Sequence, residues 1–453
     1  MTTKFGHFGL TLSVVRIPQR IEVNSSNRLF TQGQGHMAQL LLSVGRLNQM
    51  SLLTLALGLS ACGNGVTSGQ SESATLPAAD IQITHVPQNV YTSLQGQYID
   101  PSYSSAGANS NNQHLTWLFH VVFRSPGEGY RIEEVNVEFQ QGGRTQWREI
   151  YPRRYLEKLA WIEGAIEYNT AYFLKNIEFV EQKMSSLERP THPDIPAGGA
   201  ITWARFEAAR PYFARVDAIQ LHFRLQDDAG RSFRAEHNVP VQELDQNVKL
   251  HLPFGDTWIA KSGNDLSTGH RRTGLNGLTS YGWDFMKVGE DGRTFRTDGS
   301  IPEDYYTYDA PVLAPGDGIV THMRNDIKDY GIGTTPPRQL LEEDGDVFAG
   351  NLVVIDHGNG EYSLTSHMLA GTVSVAVGDR VEAGQLIGRA GNSGVSMAPH
   401  IHINLMDRSE WLEARGLPSL FSDFERITPG GAAEYIAKGN PMTGWIVLPV
   451  GAM

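Results

Sequence analysis

The chain has 453 residues, with 37 Lys and Arg against 49 Asp and Glu, a formal net charge of −12 and a pI of about 5.7. That length exceeds what one hydrophobic core usually organises, so two domains plus extensions are expected. The acidic balance, without a long Lys/Arg cluster, excludes a nucleic-acid footprint and a basic membrane-binding surface, and one cysteine, Cys62, excludes an intramolecular disulfide.

From Met50, "MSLLTLALGLSACGNG" is an apolar run of signal-peptide length that ends in small residues and is too short to cross a bilayer as a helix. The alternative is an apolar core helix. Residues 1–61 read as an extension and signal peptide, with Arg46 as the positive n-region if translation begins near Met37. Residues 62–80, rich in Gly, Ser and Asn, read as a flexible tether. "LSAC", ending at Cys62, resembles the lipobox of bacterial lipoproteins. That resemblance implies cleavage before Cys62, its lipidation, and anchoring in the cell envelope on the periplasmic side. Gly63, rather than Asp, then implies the outer membrane.

Residues 81–248 alternate apolar and polar positions in "LTWLFHVVF", "RIEEVNVEF", "ITWARFEA", "AIQLHFRLQ" and "RSFRAEHNVPV". Short strands between Gly, Pro and Asp turns predict a β-sandwich. From Leu156 to Leu187 the apolar spacing changes to three, four or seven, which predicts a helical insertion, with Gly164 its weak point. That stripe reads as packing, and no constellation of catalytic residue types occurs in residues 80–245.

Residues 249–410 change texture to Gly- and Pro-punctuated short strands, an all-β unit with a long irregular insertion over 325–348. The overall class is mainly β, with residues 411–453 as a C-terminal extension. The insertion carries "TTPPRQLLEEDGD" and is expected to border the groove described next, the alternative being a remote surface loop.

In "SMAPHIHINLM" (396–406) strand alternation places His400, His402 and Asn404 on one face and Ile401, Ile403 and Leu405 on the other. A face of imidazoles is a solvated surface, a satisfied hydrogen-bonded pair, or a site of metal or acid–base chemistry. In "SYGWDFM" the same rule opposes Asp284 to Tyr281, Trp283 and Phe285, and in "SLTSHML" His367 ends a strand. A catalytic zinc normally takes three protein ligands, leaving a fourth position for water or substrate. Asp284 and His402 could supply two. For the third, "STGHRRTGLNG" offers His270, fourteen residues before Asp284, with His251, His322 and His357 as weaker candidates. His357 reads as stabilising its Gly-Asn-Gly turn. Gly391, Asn392, Ser393 and Gly394 read as the turn before the histidine strand, with Asn392 or Ser393 as secondary candidates for substrate contact.

The segments "LPFGDTW", "YGWDF", "PVLAPGDGIV", "GNLVVIDHGNGEYSLTSHM", "VSVAVGDRVEAGQLIGRAGNSG" and "PHIH", in that order, resemble the lysostaphin/LytM-like family of zinc metallopeptidases, which cut peptide bridges in bacterial cell walls. The resemblance implies a peptidase domain of duplicated hybrid motif type. It implies Zn2+ on His270, Asp284 and His402, and catalytic roles for His367 and His400. Many members have the first histidine only four residues before the aspartate, and an aromatic residue often stands where this chain has Thr365.

The leading reading is thus an envelope-anchored zinc endopeptidase acting on peptidoglycan cross-bridges. The runner-up is a non-catalytic envelope module that activates other wall hydrolases. Degenerate members lack ligands, whereas this chain has a candidate at all five positions. A lipoyl-like carrier would need a lysine at the tip of "GDRVEAGQ", which has none.

Overall fold

A computed structural model describes residues 76–86, 88–95, 114–157, 193–211, 215–264, 270 and 279–450. All of these lie in one compact unit, Ala74–Met453. The expected signal peptide, Cys62 and residues 62–75 of the expected tether fall outside the described residues. So does most of the expected helical insertion: residues 153–157 are helical and 158–192 are not described.

The described residues before 244 form a nine-stranded sheet. The strand Ala218–Gln226 buries Ile219, Leu221, Phe223 and Leu225 while the positions between them stay at least partly exposed, so period-2 patterning produced one apolar face. Phe123 meets Phe223 edge-on at 5.2 Å, and Trp117 meets Phe139 at 5.6 Å. The strand His114–Arg124 is not a sheet neighbour of either partner strand, so the two ends of the sheet face each other across these rings.

The junction near residue 248 is clamped by hydrogen bonds. Buried Glu361 accepts from the backbone N–H of Asn247 (2.8 Å) and Val248 (2.6 Å), and Gln246 exchanges two bonds with Leu420.

An eleven-stranded sheet follows. Its centre runs Gly318–Arg324, Asn351–Asp356, Tyr362–Met368, Ile401–Met406, Trp283–Lys287 and Trp258–Ser262, antiparallel throughout. Residues 411–450 of the expected C-terminal extension contribute to it: Ile446–Pro449, Phe421–Ile427 and Ala433–Gly439 extend the sheet beyond Trp258–Ser262, and Gly416–Leu417 pairs with Ile401–Met406. The central strands are buried on both faces, as the near-continuous burial of Asn351–Asp356 and Ile401–Met406 records. One face belongs to the main core with Trp283, Phe285, Val353, Ile401 and Ile403. The other carries Leu352, Val354, Leu364 and Met406 under Trp411. His402 and Asn404 share the parity of Met406 and so lie on this second face.

The 325–348 insertion lies along the run leading into His400. Tyr330 N–H donates to Asn392 O (3.2 Å), Gly333 N–H to Met397 O (2.9 Å), and Val395 N–H to Phe348 O (2.9 Å). Two short helices, Arg338–Glu343 and Asp346–Ala349, fill its second half.

Candidate metal centre

The site grows from strand register. Asp284 lies directly opposite His402, and His402 opposite Ser366 on its other side. Facing residues project from the same side of a sheet. Trp283 and Phe285 are fully buried in the main core, and Trp283 Nε1–H is held by Asn440 Oδ1 and Pro441 O. With both neighbours fixed inward, Asp284 must point to the second face. There its Oδ1 lies 3.0 Å from His402 Nδ1, while His402 Nε2–H donates to Asn404 Oδ1 at 3.2 Å.

His270 approaches from the chain preceding the Asp284 strand. Its Nε2 is 3.3 Å from Asp284 Oδ2, its Nδ1–H donates to Gly282 O at 3.3 Å, and its ring meets that of His402 edge-on at 4.9 Å. Gly282 makes room for this. A Cβ there would stand 2.8 Å from His402 Cε1.

His400 precedes the strand. Its Nδ1–H is shared between Ala398 O (2.8 Å) and Ser396 Oγ (3.1 Å), which turns Nε2 to within 3.3 Å of Asp284 Oδ1. His367 arrives by another route. Ser366 faces His402, so regular alternation would send His367 to the opposite side. Instead, the pairing between Asn351↔Met368 and Val353↔Thr365 carries an extra residue, and His367 adopts φ 64°. This bulge re-aims the side chain. The imidazole comes within 4.7 Å of the His400 ring, centroid to centroid, with Nδ1–H donated to Ser393 O at 2.9 Å. A left-handed conformation costs an L-residue about 1–2 kcal/mol, so the surroundings must impose it.

Electrostatics follow from this crowding. Burial alone would raise Asp284, but the His270 and His400 imidazoles outweigh it and hold the carboxyl well below its ordinary range. Burial lowers His270 against the pull of Asp284, and burial with the His400 and His402 imidazoles holds His367 well below the usual value. His400 also suffers burial, yet the Asp284 carboxylate outweighs it and raises the imidazole.

Among the described residues, one group of three or more His, Cys, Asp or Glu side chains could hold a metal: His270, Asp284 and His402, whose donor atoms lie within 4.8 Å of one another. The donor set suits zinc, being two imidazole nitrogens and a carboxylate with room for a further ligand. Each histidine of the three also has its second nitrogen engaged, by Gly282 O or Asn404 Oδ1, which fixes the tautomer that offers a lone pair to the ion.

The other candidates lie elsewhere. His357 is bonded to Asp317 O and Ser363 Oγ, His322 to Asp346 Oδ2, and His251 N–H to Pro315 O. Asn392 and Ser393 are fully buried and hold the turn internally: Asn392 accepts from Ser396 Oγ and donates to Tyr330 O. Asn404, Gly282 and the carbonyls of Ala398 and Ser393 had no assigned role in the sequence reading. Only Asn404 carried a signal, its parity with His402.

Residues 304–414 match the model of peptidase family M23. His367, His400 and His402 lie inside that match, and His270 and Asp284 precede it. Peptidoglycan DD-endopeptidase ShyA of Vibrio cholerae is 33% identical over 104 residues, 23% of this chain and 19% of the relative. Glycyl-glycine endopeptidase ALE-1 of Staphylococcus capitis is 30% identical over 154 residues, 34% and 32% of the two chains. The chain thus spans about a fifth and a third of these relatives' lengths. The catalytic domain of lysostaphin from Staphylococcus simulans is 22% identical, covering 38% of this chain and 89% of that one, with a TM-score of 0.20.

Proposed function

From the premise that this chain carries a peptidase family M23 domain, we propose that it is a zinc-dependent endopeptidase that hydrolyses peptide bonds in peptidoglycan cross-bridges. The observation that carries this reading is the convergence of His270, Asp284, His402, His367 and His400 on one point of the second sheet face. The two endopeptidase relatives support the substrate class.

His270 Nε2, Asp284 and His402 Nδ1 would hold the ion. Zinc, when bound, would supply a Lewis acid for the scissile carbonyl and lower the pKa of a water toward about 7. His367 and His400 both have Nδ1 tied to a carbonyl, so Nε2 is the nitrogen each presents to substrate. One Nε2 takes the proton of the attacking water, and the other ring, as an imidazolium protonated at both nitrogens, donates from Nε2 to the oxygen on which charge develops. The 325–348 insertion walls the approach to His400 and so limits which peptides enter.

Cys62, lipidated after signal cleavage, would anchor the chain at the periplasmic side of the outer membrane. Mass spectrometry of the N-terminal peptide from native membranes tests this. An unmodified Cys62 still preceded by Ala61 refutes it.

For the enzyme itself, Asp284→Ala and His402→Ala should lose zinc, while His400→Ala should keep it and lose cleavage of purified peptidoglycan. Equal zinc loss in His400→Ala refutes the assignment of roles. Wild-type protein that holds one zinc and releases no peptide refutes the activity and favours the non-catalytic module.

A further inference from the structure

The left-handed backbone at His367 requires something to hold it. The next carbonyl, Met368 O, receives two side-chain donors: Asn351 Nδ2 at 2.9 Å and Ser393 Oγ at 2.7 Å. Ser393 Oγ in turn accepts from Asn351 N–H at 3.0 Å, and Ser393 O takes the His367 Nδ1 proton. The rest of the Asn351 amide binds the root of the insertion, with Oδ1 accepting from Ile327 N–H (2.9 Å) and Nδ2 donating to Ile327 O (2.7 Å). Asn351 and Ser393 are both fully buried, and every donor and acceptor of the Asn351 amide is engaged.

The close approach is built into the backbone. Gly350 has φ 71°, and a Cβ on it would lie 2.5 Å from Ser393. A Cβ on Gly394 would lie 2.5 Å from Gly350 N. Larger residues at either place would push the Ser393 turn away from the start of the Asn351 strand.

We propose that Asn351, through Met368 O and Ser393, is the positioning residue that keeps His367 turned into the active site, and that it ties this geometry to the base of the 325–348 insertion. Without its donors the chain at His367 relaxes toward regular alternation, which swings the imidazole to the other face of the sheet. The three metal ligands sit on other segments and stay in place. This rests on the endopeptidase reading for its kinetic consequence alone; the placement of His367 is independent of that reading.

The test uses the full chain with Asn351→Asp, which keeps the shape but removes both donors, and Ser393→Ala, which keeps the backbone carbonyl but removes the hydroxyl. Because a misplacement of about 1 Å costs about 10²-fold in rate, both variants should lose on the order of 10²-fold in kcat with KM within about twofold. Zinc stoichiometry and folded fraction should match wild type. In the metal-free proteins, 15N NMR should show the hydrogen-bonded His367 Nδ1–H signal in wild type and its loss in Asn351→Asp. Wild-type kcat in both variants, an unchanged Nδ1–H signal, or a fall in kcat that merely tracks lost zinc or lost folding overturns the proposal. Absence of cleavage by wild type instead sinks the endopeptidase reading, and the NMR comparison still decides the role of Asn351.

Discussion

Gly282→Ala is the smallest change that should disable the metal centre while sparing the fold. The added Cβ would meet His402 Cε1 at 2.8 Å and Nε2 at 3.2 Å. Ordinary van der Waals contact begins at 3.4 Å, so the ring must retreat by about 0.6 Å, 3.4 less 2.8. Metal–ligand distances tolerate about ±0.2 Å, a third of that displacement. The same residue's carbonyl receives His270 Nδ1–H, so any backbone shift that relieves the clash disturbs a second ligand. Loss of orienting contacts around a metal typically costs 10–100-fold in affinity, and overpacking of this kind costs about 1–3 kcal/mol of stability. Zinc affinity should therefore fall on the order of 10–100-fold, measured by competition with a chromogenic chelator, with thermal unfolding of the metal-free protein only modestly earlier. Gly255→Ala is the control, because a Cβ there meets nothing within 4 Å. A Gly282→Ala protein that binds zinc as tightly as wild type would refute the placement of His402 and the assignment of the site.

Two further outcomes are expected. Asn404→Ala removes the acceptor of His402 Nε2–H, so zinc affinity should drop about 10-fold or more with little change in folding; equal affinity in a chelator competition would show that Asn404 does not orient the ligand. His322 is raised above its usual value chiefly by its hydrogen bond to Asp346, so the pair's contribution is fully present below about pH 6.5 and is lost as pH rises through the folded-state value. Because His322 is 39% exposed, that contribution is at most about 1 kcal/mol. The Tm gap between wild type and His322→Gln should shrink from pH 6 to pH 9, and a gap that widens contradicts the pairing.

What the sequence made legible followed periodicity. Asp284 and His402 sit in strands whose alternation is regular, and both point where a period of two places them. His367 does not. Its face is inverted by a bulge that depends on Asn351, Gly350 and Ser393, residues remote in sequence, so no local pattern could reveal it. The strands of residues 411–450 escaped for a similar reason: Phe421–Ile427 and Ala433–Gly439 join the sheet through Ile446–Pro449, which pairs with the sequence-distant Trp258–Ser262, and Trp411 closes the second face by donating to Asp346 of the insertion.

The mixture of regular and irregular placements has a geometric cause. Residues i and i+2 on one strand face are about 6.6 Å apart, twice the 3.3 Å rise, whereas residues directly opposite on neighbouring strands stand about 4.5–5.5 Å apart. A strand face can therefore bring two ligands together across a register pair, as Asp284 and His402 are, but cannot gather five side chains on one point. The remaining three have to leave the lattice. His270 comes from the chain ahead of its strand, His400 lies just before its strand begins, and His367 sits on a bulge. Each departure forfeits the hydrogen bonds of a regular ladder, and at each one a carbonyl takes up the free imidazole N–H: Gly282 O for His270, Ala398 O for His400, Ser393 O for His367. Sites of this kind are therefore rigid at the register pair and adjustable at the off-strand residues. Changes that shift the Asp284–His402 register should abolish the site, because a one-residue slip turns both side chains to the other face.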